Sequence, residues 1–135
     1  MPRPSFRRAS SGCFSGAVSS FCSTELSGQT PKPHSVAEHD KVSEVYYILE
    51  GTATFKTGPD LVSPSARPGD AVTVVQQNGP GFDADSIDNA LTMELKPGDV
   101  VIIPAGTGHW FTNIPDHITY VMVRLDPGKI LPLNS

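Results

Sequence analysis

Gly98-Asp99-Val100-Val101-Ile102-Ile103-Pro104-Ala105-Gly106-Thr107-Gly108-His109-Trp110-Phe111-Thr112-Asn113 is the stretch that decides the fold. Val100 to Ile103 is wholly apolar and short, as a buried strand is. Pro104 and Gly106 punctuate a tight turn. A second strand opens at His109. The turn fixes where the imidazole sits. A histidine held at a strand start and facing the inside of a barrel is a ready metal ligand or acid/base group.

Working outward, the same texture recurs. Glu44 to Phe55 alternates and is rich in β-formers, with Gly51 between two strand-like runs; it reads as a hairpin. Residues 59–70 hold Pro59, Pro64 and Pro68 and read as a loop. Ala71 to Gln77 is a short strand candidate, and Asn78-Gly79-Pro80-Gly81 is a strong turn signal. Leu91 to Leu95 and Ile118 to Leu125 are further strands. No segment shows helical periodicity. Many short strands between Gly/Pro turns predict an all-β sandwich or barrel.

Twelve glycines and thirteen prolines in 135 residues agree with that turn-rich design. The length predicts one domain, or one domain plus a tail. Net charge is −4, unevenly spread: residues 1–33 hold Arg3, Arg7, Arg8 and Lys32 against Glu25 alone, which leaves the rest at −7. An acidic barrel excludes a nucleic-acid surface, and no stretch is apolar enough to span a membrane as a helix. Residues 1–33 read as a Ser/Arg-rich, disordered extension, and residues 34–135 as the barrel domain. Within the extension, 17–21 is the sole strand candidate. Cys13 and Cys22 have no metal-ligand spacing, which fits a reducing, cytoplasmic location. The alternative is mitochondrial, because an Arg/Ser-rich segment without acidic residues before Glu25 has the composition of a transit peptide.

The spacing Gly98-x5-Pro104-x-Gly106-x2-His109-x3-Asn113 resembles the second motif of the cupin superfamily at all five fixed positions. The first motif is present in part. Glu44 and Gly51 have the required six residues between them, and His39 stands four intervening residues before Glu44. The first histidine of the family's pair then falls on Ala37. A shorter spacing variant would instead put Glu38 and Asp40 at the two histidine positions.

The resemblance implies a jelly-roll barrel (a double-stranded β-helix) with a mononuclear metal centre near its middle. Of the family's ligand set this chain supplies His39, Glu44 and His109. Two imidazoles and a carboxylate suit a divalent ion, Fe, Mn, Ni or Zn. His34 is a spare histidine that could reach the gap only by folding back. Strand alternation carries Tyr46 and Ile48 to the same face as Glu44, and Phe111 and Asn113 to that of His109. Tyr46, Phe111, Asn113 and Arg124 are the candidate substrate-binding residues, and Tyr46 the nearest candidate for a catalytic acid or base. Arg124 suits a substrate carboxylate, though its strand register is open. The implied function is an enzyme (oxygenase, isomerase, decarboxylase or lyase) acting on a small organic molecule. The alternatives are a non-catalytic small-molecule-binding cupin and a degenerate copy without a working metal site. Dimers are common in the family, so a homodimer is also expected. If the strands that ordinarily precede the first motif are missing, one barrel edge is exposed.

Overall fold

The computed structural model of the chain describes residues 20–27, as backbone, and residues 35–132. Two antiparallel sheets face each other. The four-stranded sheet runs β1 (Ser20–Ser27), β12 (His117–Leu125), β3 (Ser43–Gly51) and β10 (Val100–Ile103) in spatial order. The six-stranded sheet runs β6 (Ser65–Ala66), β7 (Gly81–Ala84), β2 (Val36–His39), β11 (Gly108–Asn113), β4 (Ala53–Gly58) and β9 (Leu91–Leu95). A small flap, β5 (Asp60–Val62) with β8 (Ser86–Asp88), covers part of the second sheet. This is the all-β barrel that the turn spacing predicts, in the jelly-roll form that the resemblance implies. Among the described residues no helix is long and apolar enough to cross a membrane.

Period-two alternation builds the interior. Tyr46, Ile48, Val101, Ile103, Ile118 and Tyr120 point inward from one sheet and meet Ala53, Phe55 and Leu95 from the other. A second, smaller cluster of Val36, Ala84 and Ile87 lies on the opposite face of the six-stranded sheet. Leu61 and Ile87 reach that face because Gly108 has no side chain; a Cβ there would meet both.

Three sequence expectations change. The run from Glu44 to Phe55 is not a hairpin: β3 pairs with β10 and β12, whereas β4 pairs with β9 and β11. The chain crosses from one sheet to the other at Gly51, whose φ of +78° and whose closeness to the His117 carbonyl both require glycine. Ala71 to Gln77 is not a strand. It leads into a helical turn, Val74–Asn78, closed by an i→i+5 bond from the Gly79 N–H to the Val74 carbonyl at 2.9 Å. Its valines satisfied the strand pattern, but Val72 and Val75 stay exposed and only Val74 is buried. The 59–70 stretch, read as loop, contains the short strands β5 and β6.

Strand β1 lies inside the 1–33 segment, so the barrel takes a strand from it. It starts at Ser20, inside the 17–21 candidate, and pairs with β12 over eight residues, from Ser20↔Arg124 to Ser27↔His117. One edge of β12 is therefore covered. Residues 1–19, 28–34 (with His34) and 133–135 lie outside the described residues.

Candidate metal centre

Both sheet crossings deliver a polar side chain to the same end of the barrel. His39 ends β2, Glu44 is the second residue of β3, just past the Asp40 turn, and His109 follows the Pro104–Gly106 turn into β11. The three side chains are 5%, 1% and 7% exposed. The His39 Nε2 lies 2.8 Å from Glu44 Oε1, and the His109 Nε2 lies 3.7 Å from Glu44 Oε2. One donor atom from each residue lies within 4.8 Å of the others.

Backbone carbonyls set the tautomers. The His39 Nδ1–H donates to the Asn78 carbonyl at 3.0 Å, and the His109 Nδ1–H donates to the Thr107 carbonyl at 3.3 Å. Each imidazole thus turns Nε2 toward Glu44, the His39 Nε2–H donating to Glu44 Oε1; a bound ion would take the place of that proton. Glu44 Oε2 is buried and has no hydrogen-bond partner, a costly state for a carboxylate oxygen unless a cation takes it up. Burial pushes the His109 pKa down to about 4, with the Glu44 charge opposing the shift. Burial alone would raise the Glu44 pKa. The hydrogen bond from His39, then the charges of His109, His39 and Arg124, overcome this and hold the carboxyl far below its ordinary value. At neutral pH the pocket therefore holds a carboxylate and a neutral His109. These donors fit a divalent ion, which would lie between the two Nε2 atoms and Glu44.

The register explains the gap in the ligand set. Ala37 pairs directly with His109 across β2 and β11. The position of the absent first histidine thus adjoins the centre and carries only a methyl group. Glu38 does not substitute for it. It lies on the Val36 face, away from His39, is 3% exposed, and its pKa is raised by burial and then by Asp40. The shorter motif spacing is therefore not the one this fold uses.

Arg124 faces into the barrel directly opposite Glu44. Its Nε donates to Glu44 Oε1 at 3.3 Å, Nη2 donates to Asn78 Oδ1 at 3.0 Å, and Nη1 donates to the Gln77 carbonyl. Tyr46 is 4% exposed and packs its ring on Tyr120, with centroids 4.6 Å apart. Its pKa is raised well above the usual phenol value, by burial first and by the Glu44 charge next. Phe111 packs among Tyr46, Phe55 and Tyr120 as part of the core. Asn113, four residues along β11 from His109, is exposed at the strand's far end and is not brought to this group.

Two residues at or near the barrel mouth had no signal as site residues in the sequence. Asn78 looked like turn chemistry alone, yet its carbonyl holds His39 and its side chain holds Arg124. Arg67 is buried over Gly81, with Nη2 donating to the Glu38 carbonyl at 2.6 Å and the Phe82 carbonyl at 2.9 Å, and Nε to Asp83 at 3.0 Å. Long-range contacts of this kind leave no local pattern.

Comparison with known proteins places this geometry. No curated protein sequence matches the chain. A solved hydroquinone 1,2-dioxygenase from Sphingomonas sp. TTNP3, with 4-hydroxybenzoate bound, is 10% identical over 86% of this chain and 68% of its own, with a TM-score of 0.51. A cupin protein from Bacteroides fragilis is 14% identical over 96% and 89%, with a TM-score of 0.49. A predicted oxalate decarboxylase from Thermotoga maritima is 17% identical over 81% and 67%, with a TM-score of 0.47. At such identities the likeness concerns the fold. The family model described as Cupin matches residues 32–130, both motifs and nearly the whole barrel included, and the chain belongs to the cupin family.

Proposed function

We propose that this cupin is an enzyme that acts on a small organic molecule at a mononuclear centre held by His39, Glu44 and His109. The observation that carries the reading is the convergence of two Nε2 atoms on a buried carboxylate while both Nδ1–H groups are tied to carbonyls. A bound Fe, Mn, Ni or Zn ion would supply Lewis acidity and open coordination positions for substrate. The chain's own residues do the rest. Arg124 balances the charge of Glu44 and offers a guanidinium to an anionic substrate group, which would replace its bonds to Gln77 and Asn78. Tyr46 walls the centre and holds its proton at neutral pH, so it serves as a hydrogen-bond donor rather than a base. The aromatic packing of Tyr46, Phe55, Phe111 and Tyr120 fills the barrel below the site and limits the substrate to a small one. Cys13 and Cys22, with no metal-ligand spacing, are consistent with a reducing, cytoplasmic setting.

Elemental analysis of the purified chain tests this directly. We expect about one divalent ion per chain, lost in His109→Ala while the far-UV spectrum of a β-barrel remains. A full metal content in that variant overturns the assignment. A degenerate, metal-free barrel is the second reading, and Ala37 at the first-histidine position is what favours it. In that case the 2.8 Å contact of His39 with Glu44 is a structural ion pair, and the wild type carries no metal.

A further inference from the structure

We infer that the space beside Ala37 is a carboxylate-binding subsite, where Arg67 receives an acid group of the substrate; this rests on the His39, Glu44 and His109 centre proposed above and gives it a substrate class. Register puts His109, Ala37 and Asp83 in one row across β11, β2 and β7, with His39 opposite Gly81 in the neighbouring row. Directly paired residues share a face, and alternate residues along a strand return to it. Ala37, His39, Gly81, Asp83 and His109 therefore all lie on the inner face. Arg67 joins them there: its backbone N–H donates to the Gly81 carbonyl at 3.0 Å and its Nε donates to Asp83.

The Arg67 side chain is only 9% exposed, yet its Nη1 is buried without a hydrogen-bond partner. A charged donor buried with no acceptor is costly. Its Nε and Nη2 are already engaged by Asp83 and by the Glu38 and Phe82 carbonyls, so Nη1 is the nitrogen left for a ligand. Nη1 sits 2.7 Å from the place a Gly81 Cβ would take. Cβ positions of paired residues are about 5 Å apart, which puts the guanidinium within one small molecule's length of His39. Ala37 supplies the room. Val36, Glu38 and His39 around it are buried, but Ala37 is partly exposed although it faces inward. Its methyl group borders open space where an imidazole would stand, between His109 and the Asp83–Arg67 pair.

A planar carboxylate is the group this space takes. It accepts a charge-assisted bond from a guanidinium N–H and also binds divalent ions. With a divalent ion bound, the cations Arg67 and Arg124 against the anions Glu44 and Asp83 leave two positive charges in excess. An amine would be repelled by them. Arg124 would have to release Gln77 or Asn78 to bind the acid group, whereas Arg67 gives up nothing.

Proton–nitrogen NMR of the full chain, titrated with acetate and with malonate in zinc-loaded and in metal-free form, tests the inference without reference to turnover. Both acids are expected to shift the Arg67 Nε–H and the Ala37 and Gly81 amides saturably in each form, and to bind more tightly with zinc. Arg67→Gln removes the cation, and Ala37→Leu fills the gap while removing no metal ligand. Each is expected to weaken malonate binding at least ~10-fold in both forms. A response centred away from Arg67 and Ala37, or no saturable response in either form, overturns the inference. So does an equal response to inorganic phosphate, or full malonate affinity in either folded variant. Where both variants misfold, the wild-type shift map decides alone. Failure of the metal reading looks different: a chain that takes up no zinc by elemental analysis but still binds malonate at Arg67 loses the centre and keeps the subsite.

Discussion

At the scale of single residues, the centre is controlled by where protons sit. His109 is neutral in the fold because burial lowers its pKa to about 4 from an ordinary 6.5. The lowered value means that the unfolded chain takes up a proton first as pH falls. The stability this group contributes is complete above pH 6.5 and is lost as pH drops toward 4, by roughly 3 kcal/mol at most. Glu44 acts in the same direction at still lower pH, because its carboxyl is also held below its ordinary value. Thermal melting of metal-free protein is therefore expected to fall between pH 6.5 and pH 4, and a flat profile over that range would contradict the buried neutral imidazole. The three candidate ligands were legible in the sequence because two motifs with fixed spacing carry them. Asn78 and Arg67 were not. Each acts through carbonyl groups and guanidinium contacts between residues far apart in the chain, and no spacing rule records such contacts.

At the scale of elements, the segment from Ala71 to Gly81 is tied to the candidate centre by hydrogen bonds to His39 and Arg124. Its i→i+5 turn positions the Gln77 and Asn78 carbonyls over the barrel mouth, where His39 and Arg124 donate to them. Turns wound in this wide manner are frequent at functional sites. Asn78→Ala removes the Oδ1 acceptor of Arg124 but keeps the carbonyl that orients His39. We expect metal affinity to fall about tenfold, the lower end of the range for partners of metal ligands, with faster amide exchange at residues 74–79. Unchanged affinity and exchange would show that Arg124 needs no anchor. The turn itself was readable from Asn78-Gly79-Pro80-Gly81. Its helical approach was not, because Val72, Val74 and Val75 follow the β-strand pattern although two of the three remain in water. Strand β1 was legible only at its start, inside the 17–21 candidate. The rest, through Ser27, is too polar to announce a strand, and it forms one along β12.

At the scale of the whole molecule, the alternation of the sequence located the strands but not their partners. Gly51 looked like the tip of a hairpin because two β-rich runs flank it. In the barrel those runs belong to different sheets, and the sharp left-handed bend carries the chain across the core. The same crossing after β10 carries His109 over to meet Glu44. Closure of the two sheets thus creates the centre, and local reading of either motif could supply its ligands without its geometry. The eight-residue pairing of β1 with β12 has a further consequence, for maturation of the protein. Strand β12 holds Arg124, and Ser20 is its register partner. Any protease that trims the basic N-terminal segment must stop before Ser20 to leave the barrel whole. A chain beginning at residue 20 is expected to melt at the temperature of the full protein, and one beginning at residue 34 several degrees lower, with an open edge on β12 that invites aggregation. Equal melting of all three would mean that β1 adds nothing. The site of leader removal, where one exists, is thereby bounded from within the fold, by a strand whose loss would expose the backbone beside Arg124.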